Sequence, residues 1–133
     1  MGQPAAKQGD RVVGTDVHIV LVPVPMKDPV PTPLPHPFAG MLTGGLSSNV
    51  LIGGKPAATV GSTADNTPAH VPAAPGTAFQ RPPTNKATVL RGSSTVLING
   101  KPAARAADPA TTCNDPSDLP SGTIVATGTV LIG

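Results

Sequence analysis

The chain holds three histidines and one cysteine: His18, His36, His70 and Cys113. Imidazole nitrogens and a thiolate are what zinc takes, and a structural zinc site closes all four tetrahedral positions with protein ligands. The spacing adds to this. His18 lies twelve residues after Ala6, His70 twelve after Ala58, and Cys113 nine after Ala104. Those three alanines hold the same place in a repeated phrase, so each repeat sends one donor from an equivalent connection. His36 is the additional member, in His36-Pro37-Phe38. Histidines on loops are also commonly solvated, and a lone cysteine is commonly a small buried hydrophobe. A single site that accounts for every histidine and cysteine favours the metal. Asp16 and Asp65 stand near His18 and His70, where they suit either acceptors that orient imidazoles or turn residues. Three histidines with a water would make a hydrolytic zinc centre; Cys113 as fourth ligand argues against that open position. The chain has no phosphate-cradling glycine loop and no GxSxG elbow, so the expectation is a structural metal and no enzyme.

The elements that must position these donors come from the repeat. Residues 48–60 read SNVLIGGKPAATV and residues 94–106 read STVLINGKPAARA. The C-terminal Thr129-Val130-Leu131-Ile132-Gly133, joined to Gly2-Gln3-Pro4-Ala5-Ala6-Lys7, gives a third copy without a gap. Each copy reads as a β-hairpin: a β-branched arm, a Gly-Gly or Asn-Gly pair suited to a type I′ turn, and a second arm beginning with Lys-Pro-Ala-Ala or Gln-Pro-Ala-Ala. The repeated Ala-Ala pairs suit convergence on a narrow shared axis. The expected fold is all-β: three pseudo-threefold hairpins with long loops, closed where the N- and C-terminal segments meet. Residues 23–37, with seven prolines, read as an extended or polyproline-like connection. Residues 62–86 and 107–122 read as loops with turn signals.

Composition bounds the function. One domain, residues 1–133, is expected. With 15 glycines and 18 prolines the chain approaches compositions typical of disorder, yet the repeats are too regular for a solvating tail. Nine basic and seven acidic residues, scattered and without aromatic interleaving, disfavour nucleic acid. The apolar run Ile19 to Val22 is too short to span a membrane and wrongly flanked for a secretory signal. Synthesis in the cytoplasm and export only by a dedicated machine are therefore expected. One cysteine excludes an internal disulfide, leaving a metal as the available staple.

Pro102-Ala103-Ala104-Arg105 spells the motif that names the PAAR family, and Pro56-Ala57-Ala58-Thr59 and Pro4-Ala5-Ala6-Lys7 look like its degenerate copies. The whole chain resembles the PAAR and PAAR-like spike-tip proteins of contractile injection systems, in type VI secretion or extracellular phage-tail-like particles. His36 to Lys55 looks like the PAAR-like branch. The resemblance implies a small cone with Zn2+ near its point, held by His18, His36, His70 and Cys113. It implies a monomer docked on a trimeric VgrG-type spike, in transient contact with a target membrane and released as part of the particle. Without a toxin extension, as expected here, effectors would be carried non-covalently. The competing expectations are a small zinc hydrolase using the three histidines and an effector adaptor that does not bind the spike.

Overall fold

A computed structural model describes residues 2–133. The described residues form thirteen strands and no helix: β1 (Gln3–Pro4), β2 (Arg11–Val24), β3 (Lys27–Gly44), β4 (Leu51–Ile52), β5 (Lys55–Pro56), β6 (Thr63–Asn66), β7 (Ala78–Phe79), β8 (Lys86–Val89), β9 (Leu97–Ile98), β10 (Lys101–Pro102), β11 (Pro109–Thr112), β12 (Leu119–Val125) and β13 (Leu131–Ile132). The all-β expectation is met.

The three copies of the phrase make the same pairing. Leu51 opposes Pro56, Leu97 opposes Pro102 and Leu131 opposes Pro4, so the two chain ends pair as β13 and β1. Gly53, Gly54, Asn99 and Gly100 all have positive φ, as a type I′ turn requires. The isoleucines Ile52, Ile98 and Ile132 are buried with Ala5, Ala57 and Ala103 in one apolar cluster. Leu51, Leu97 and Leu131 point outward and are exposed.

Backbone hydrogen bonds then tie the three copies in a ring. The Ala6 N–H donates to the Ala104 carbonyl, that of Ala104 to Ala58, and that of Ala58 to Ala6, at 2.9–3.0 Å. A second ring runs from Gln8 to Pro56, Val60 to Pro102 and Ala106 to Pro4, again at 2.9–3.0 Å. Ala6, Ala58 and Ala104 are 0% exposed. Four residues after each of these alanines a side chain caps the turn: the N–H groups of Lys7, Thr59 and Arg105 donate to Asp10, Ser62 and Asp108.

Each copy feeds one antiparallel pair: β2 with β3, β6 with β8, β11 with β12. Adjacent pairs join through β3–β6, β8–β11 and β12–β2, closing six strands into a barrel, with β7 added on the outside of β2. Val12, Phe38, Leu42, Ala64, Val89, Ala110 and Ile124 fill it. Alternation along each strand gives this inward set, as period 2 demands. A Cβ at Gly40 would lie 2.6 Å from the Asp65 carbonyl oxygen, so only glycine lets β3 and β6 approach there.

The structure departs from the sequence reading at residues 23–37. This segment is the end of β2, its turn, and the outer half of β3, paired with β2 from Val22↔Val30 to Thr15↔Pro37. The prolines take only odd positions: Pro23, Pro25, Pro29, Pro31, Pro33, Pro35 and Pro37. On β2 the odd residues turn their backbone groups away from β3: Val17 and Ile19 donate to Asn114 and Asp115, and Leu21 accepts from Thr77. Odd residues of β3 likewise face outward, toward β6 as far as Ala39 and then toward solvent. The prolines begin where β6 ends. They keep the β2–β3 ladder intact and remove the N–H groups from a long exposed edge, which blocks strand addition. Residues 62–86 and 107–122, read as loops, contribute β6, β7, β11 and parts of β8 and β12.

Two predictions follow from this packing. Ala104→Val inserts two methyl groups at the ring and should cost about 1–3 kcal/mol, read as a lowered midpoint in chemical denaturation; an unchanged midpoint would show that the axis has room. Replacing Pro29, Pro31 and Pro33 together by Thr should restore three outward N–H groups and cause concentration-dependent association in sedimentation velocity. If that variant stays as dispersed as the parent, the prolines do not guard the edge.

Candidate metal centre

The chemistry-bearing residues collect on the connections at the barrel end away from the alanine ring. β2 carries Asp16 and His18 two residues apart, hence on one face, and both are buried. β3 carries His36 opposite Asp16 in the ladder. The connection after β6 carries His70, and the connection after β11 begins with Cys113. Three separate connections therefore meet.

The three imidazole rings form a triangle, with centroids 5.0 Å apart for His18 and His70 and 5.5 Å for each with His36. The two aromatic side chains of the chain flank them. Phe79 packs edge-on to His18 at 5.7 Å and lies 5.4 Å from His36, and Phe38 lies 6.1 Å from His70. Asp16, His18, His70 and Cys113 each offer a donor atom, all within 4.8 Å of one another. Ligands on one zinc are separated by roughly 3.5 Å, given bond lengths near 2.0–2.3 Å, so a small side-chain contraction would close the set.

Asp16 is the hub. Its Oδ2 accepts from His70 Nε2 at 2.8 Å and from the Cys113 thiol at 3.3 Å, and its Oδ1 accepts from the Thr112 hydroxyl. His70 Nδ1 accepts from the Asn66 amide at 3.2 Å, which places the ring proton on Nε2. His36 has both nitrogens engaged with backbone: Nδ1 donates to the Leu34 carbonyl at 2.9 Å and Nε2 accepts from the Ala73 N–H at 3.1 Å. His18 is different. Neither of its ring nitrogens has a formed hydrogen bond, although Asp115 Oδ2 lies 3.4 Å from Nδ1. Their alignment does not make that contact a hydrogen bond, and Nε2 has no partner either. An orphaned, buried imidazole nitrogen beside a thiol and a second histidine suits a metal ion.

Asp115 is itself held in place. It accepts from the Ile19 N–H at 2.9 Å and pairs with Arg81 at 2.8 Å. Burial pushes its carboxyl upward, but the Ile19 N–H and Arg81 outweigh that and keep it below its ordinary value. Burial, offset in part by Asp115, lowers the pKa of His18; burial also lowers that of His36, against the Leu34 carbonyl. Burial, joined by Asp16, pushes the Cys113 thiol up to about 11.

All four residues expected from the sequence thus lie in one neighbourhood. His18, His70 and Cys113 present donor atoms to a common point, while His36 stands beside them with its nitrogens turned to backbone. Asp16, weighed as an outer acceptor, sits inside the donor group. Asp65 is exposed and pairs with Lys86. Asp115 and Asn114 escaped the sequence reading because Asp115-Pro116 carries an ordinary turn signal. Only the fold shows that the short run Thr112 to Asp115 clamps β2 while placing the thiol.

These buried groups make a stability window for the metal-free protein. The folded state resists protonating His18 and His36, whereas an unfolded histidine takes a proton near pH 6.5. Stability should therefore fall as pH drops through about 6.5. The Cys113 contribution is present below the ordinary thiol pKa of 9.0 and is lost as pH rises toward about 11. Denaturation midpoints measured on metal-free protein at pH 5.5, 8 and 10.5 should peak at pH 8; a flat profile would contradict the burial argument.

Comparison with known proteins adds one finding. Residues 80–133 match the family model described as PAAR motif, a segment that includes Pro102-Ala103-Ala104-Arg105 and Cys113. No curated protein matches the chain. The family-model match supports the resemblance carried by the repeated phrase.

Proposed function

We propose that this PAAR-motif chain is the metal-stapled tip of a contractile injection spike, seated on a trimeric VgrG-type protein. The observation that carries the reading is the alanine ring. It relates three equivalent β pairings by rotation within one chain, so a single copy offers three equivalent faces to a threefold partner. A trimeric β-helical spike ends in three strand edges that need covering, and one internally repeated chain can meet all three at once. Leu51, Leu97 and Leu131, 58%, 62% and 59% exposed, are equivalent apolar contacts beside that end. In this reading the opposite end leads, and the body tapers to a cone.

The metal's part is structural. His18, His70 and Cys113 supply two imidazoles and a thiolate, a donor chemistry that favours Zn2+; His36 and Asp16 flank the remaining position. The bound ion would cross-link three connections and supply no reaction. His18, His70 and Cys113 would then resist separation when the tip meets a membrane, because opening any one connection breaks the site. The chain would be made in the cytoplasm and leave it as part of the particle, with effectors travelling on the assembled spike. The PAAR-motif match supports a structural role over a hydrolase.

The test is assembly. Mixed with a VgrG-type trimer encoded beside it, the chain should co-migrate at one copy per trimer by native mass spectrometry. Leu51→Asp, Leu97→Asp and Leu131→Asp combined should weaken that complex at least tenfold while leaving metal content unchanged. Absence of a complex, or three copies per trimer, would sink the tip reading.

A further inference from the structure

We propose that the barrel end bearing the alanine ring is a basic collar for an acidic protein surface, recognised through Arg11, Lys55, Arg91 and Lys101. The proposal rests on the tip reading and goes beyond it by naming the chemistry of the partner: carboxylates around an apolar centre, on the end of the spike that receives the chain.

The fold sorts the charges along the barrel. The chain has nine basic residues and seven acidic ones, all aspartates. Two aspartates lie beside the alanine ring, and each is taken by its own copy: Asp10 pairs with Lys7 at 3.1 Å and Asp108 with Arg105 at 3.0 Å. Chain termini aside, Arg11, Lys55, Arg91 and Lys101 are left at that end, exposed and without an ion pair among the described residues. The other five aspartates lie toward the opposite end. Asp16, Asp65 and Asp115 have His70, Lys86 and Arg81 as partners, while Asp28 and Asp118 are exposed and make no ion pair among the described residues. Lys27, next to Asp28, is the unpaired cation of that half. One end thus presents uncompensated positive charge, the other a slight negative excess.

The positive charge is spread around the barrel axis. Lys55 and Lys101 hold the same place in two copies of the phrase, at the start of the second hairpin arm. The third copy has Gln3 there, and Arg11, which opens the strand leaving that copy, supplies its cation. Arg91 adds one more just ahead of the second copy. Large apolar side chains are exposed on the same end: Leu51, Leu97 and Leu131 on the hairpins, Leu90 and Val125 on the wall. An apolar centre with a charged rim is the make-up of a protein interface; a polyanion such as DNA would leave the leucines in water. Carboxylates on the partner would steer the encounter and speed association. They would also repel Asp28 and Asp118, so the field that draws the ring end turns the opposite end away.

Association kinetics with the VgrG-type trimer encoded beside the chain decide the matter. For the wild-type chain the association rate should fall at least about tenfold between about 50 and about 500 mM NaCl, while the dissociation rate changes less than about threefold. This series needs no variant to fold. A complex whose association is indifferent to salt overturns the collar and leaves the tip reading intact; no complex at any salt overturns both. Arg11→Gln, Lys55→Gln, Arg91→Gln and Lys101→Gln combined should cut the low-salt association rate about tenfold and remove most of its salt dependence. Lys27→Gln with Lys86→Gln, toward the opposite end, should change that rate less than about twofold. Equal losses per charge removed from the two ends would point to net charge alone and overturn the proposal. Tighter binding to a DNA duplex than to the trimer at the same salt would overturn it as well.

Discussion

Everything in this molecule depends on the closed ring of hydrogen bonds among Ala6, Ala58 and Ala104. Each of the three N–H groups has a carbonyl partner in the next copy, so no copy is satisfied alone. The buried backbone must be paired, and here the pairing closes only when all three copies are present. That accounts for an alanine at this place in all three copies, where three segments of the chain converge with 0% exposure. It also explains why the chain ends lie together. Ile132 and Leu131 must pair with Gln3 and Pro4 to supply the third side.

From that ring the barrel follows. Each copy turns through a side-chain cap, Asp10, Ser62 or Asp108, and launches an antiparallel pair. Leu42, Val89 and Ile124 return beside those caps, their N–H groups donating to the carbonyls of Asp10, Ser62 and Asp108. A closed barrel has no edges to guard. The long β2–β3 hairpin outgrows the barrel and regains an exposed edge, and it is here that proline appears at every second residue. The same residue type that reads as a strand breaker in the sequence is compatible with a strand when all its nitrogens fall on the unpaired side.

The sequence therefore made some features legible and hid others for physical reasons. The hairpins could be read because turn chemistry and β-branched runs are local signals, repeated in register. The candidate donors His18, His36, His70 and Cys113 stood out because histidine and cysteine are scarce in this chain. The seven-stranded sheet could not be read, because strands such as Thr63–Asn66 and Pro109–Thr112 are short and built from Thr, Ala, Asp, Asn and Pro, with stability supplied by neighbours far away in sequence. The proline run misled because its period of two was outweighed by its composition. Asp115 and Asn114 stayed hidden since their partners, Ile19 and Val17, are 96 and 97 residues distant.

The two ends of the barrel are closed by different means, and the difference has a cause. At the alanine ring the three connections are short and equivalent, so backbone alone can close them. At the other end the connections diverge: a long ribbon, the irregular stretch that carries His70, and the brief run from Cys113 to Asp118. Unequal chains cannot meet in a symmetric backbone ring. Their closure must come from side chains, and the buried network of Asp16, His70, Asn66, Thr112 and Asn114 is that closure. Among the described residues the His18 imidazole is left unsatisfied, at the point where donors from all three connections face one another. A cation placed there would give the His18 imidazole a partner and would join the unequal connections in one step, as the alanine ring joins the equal ones.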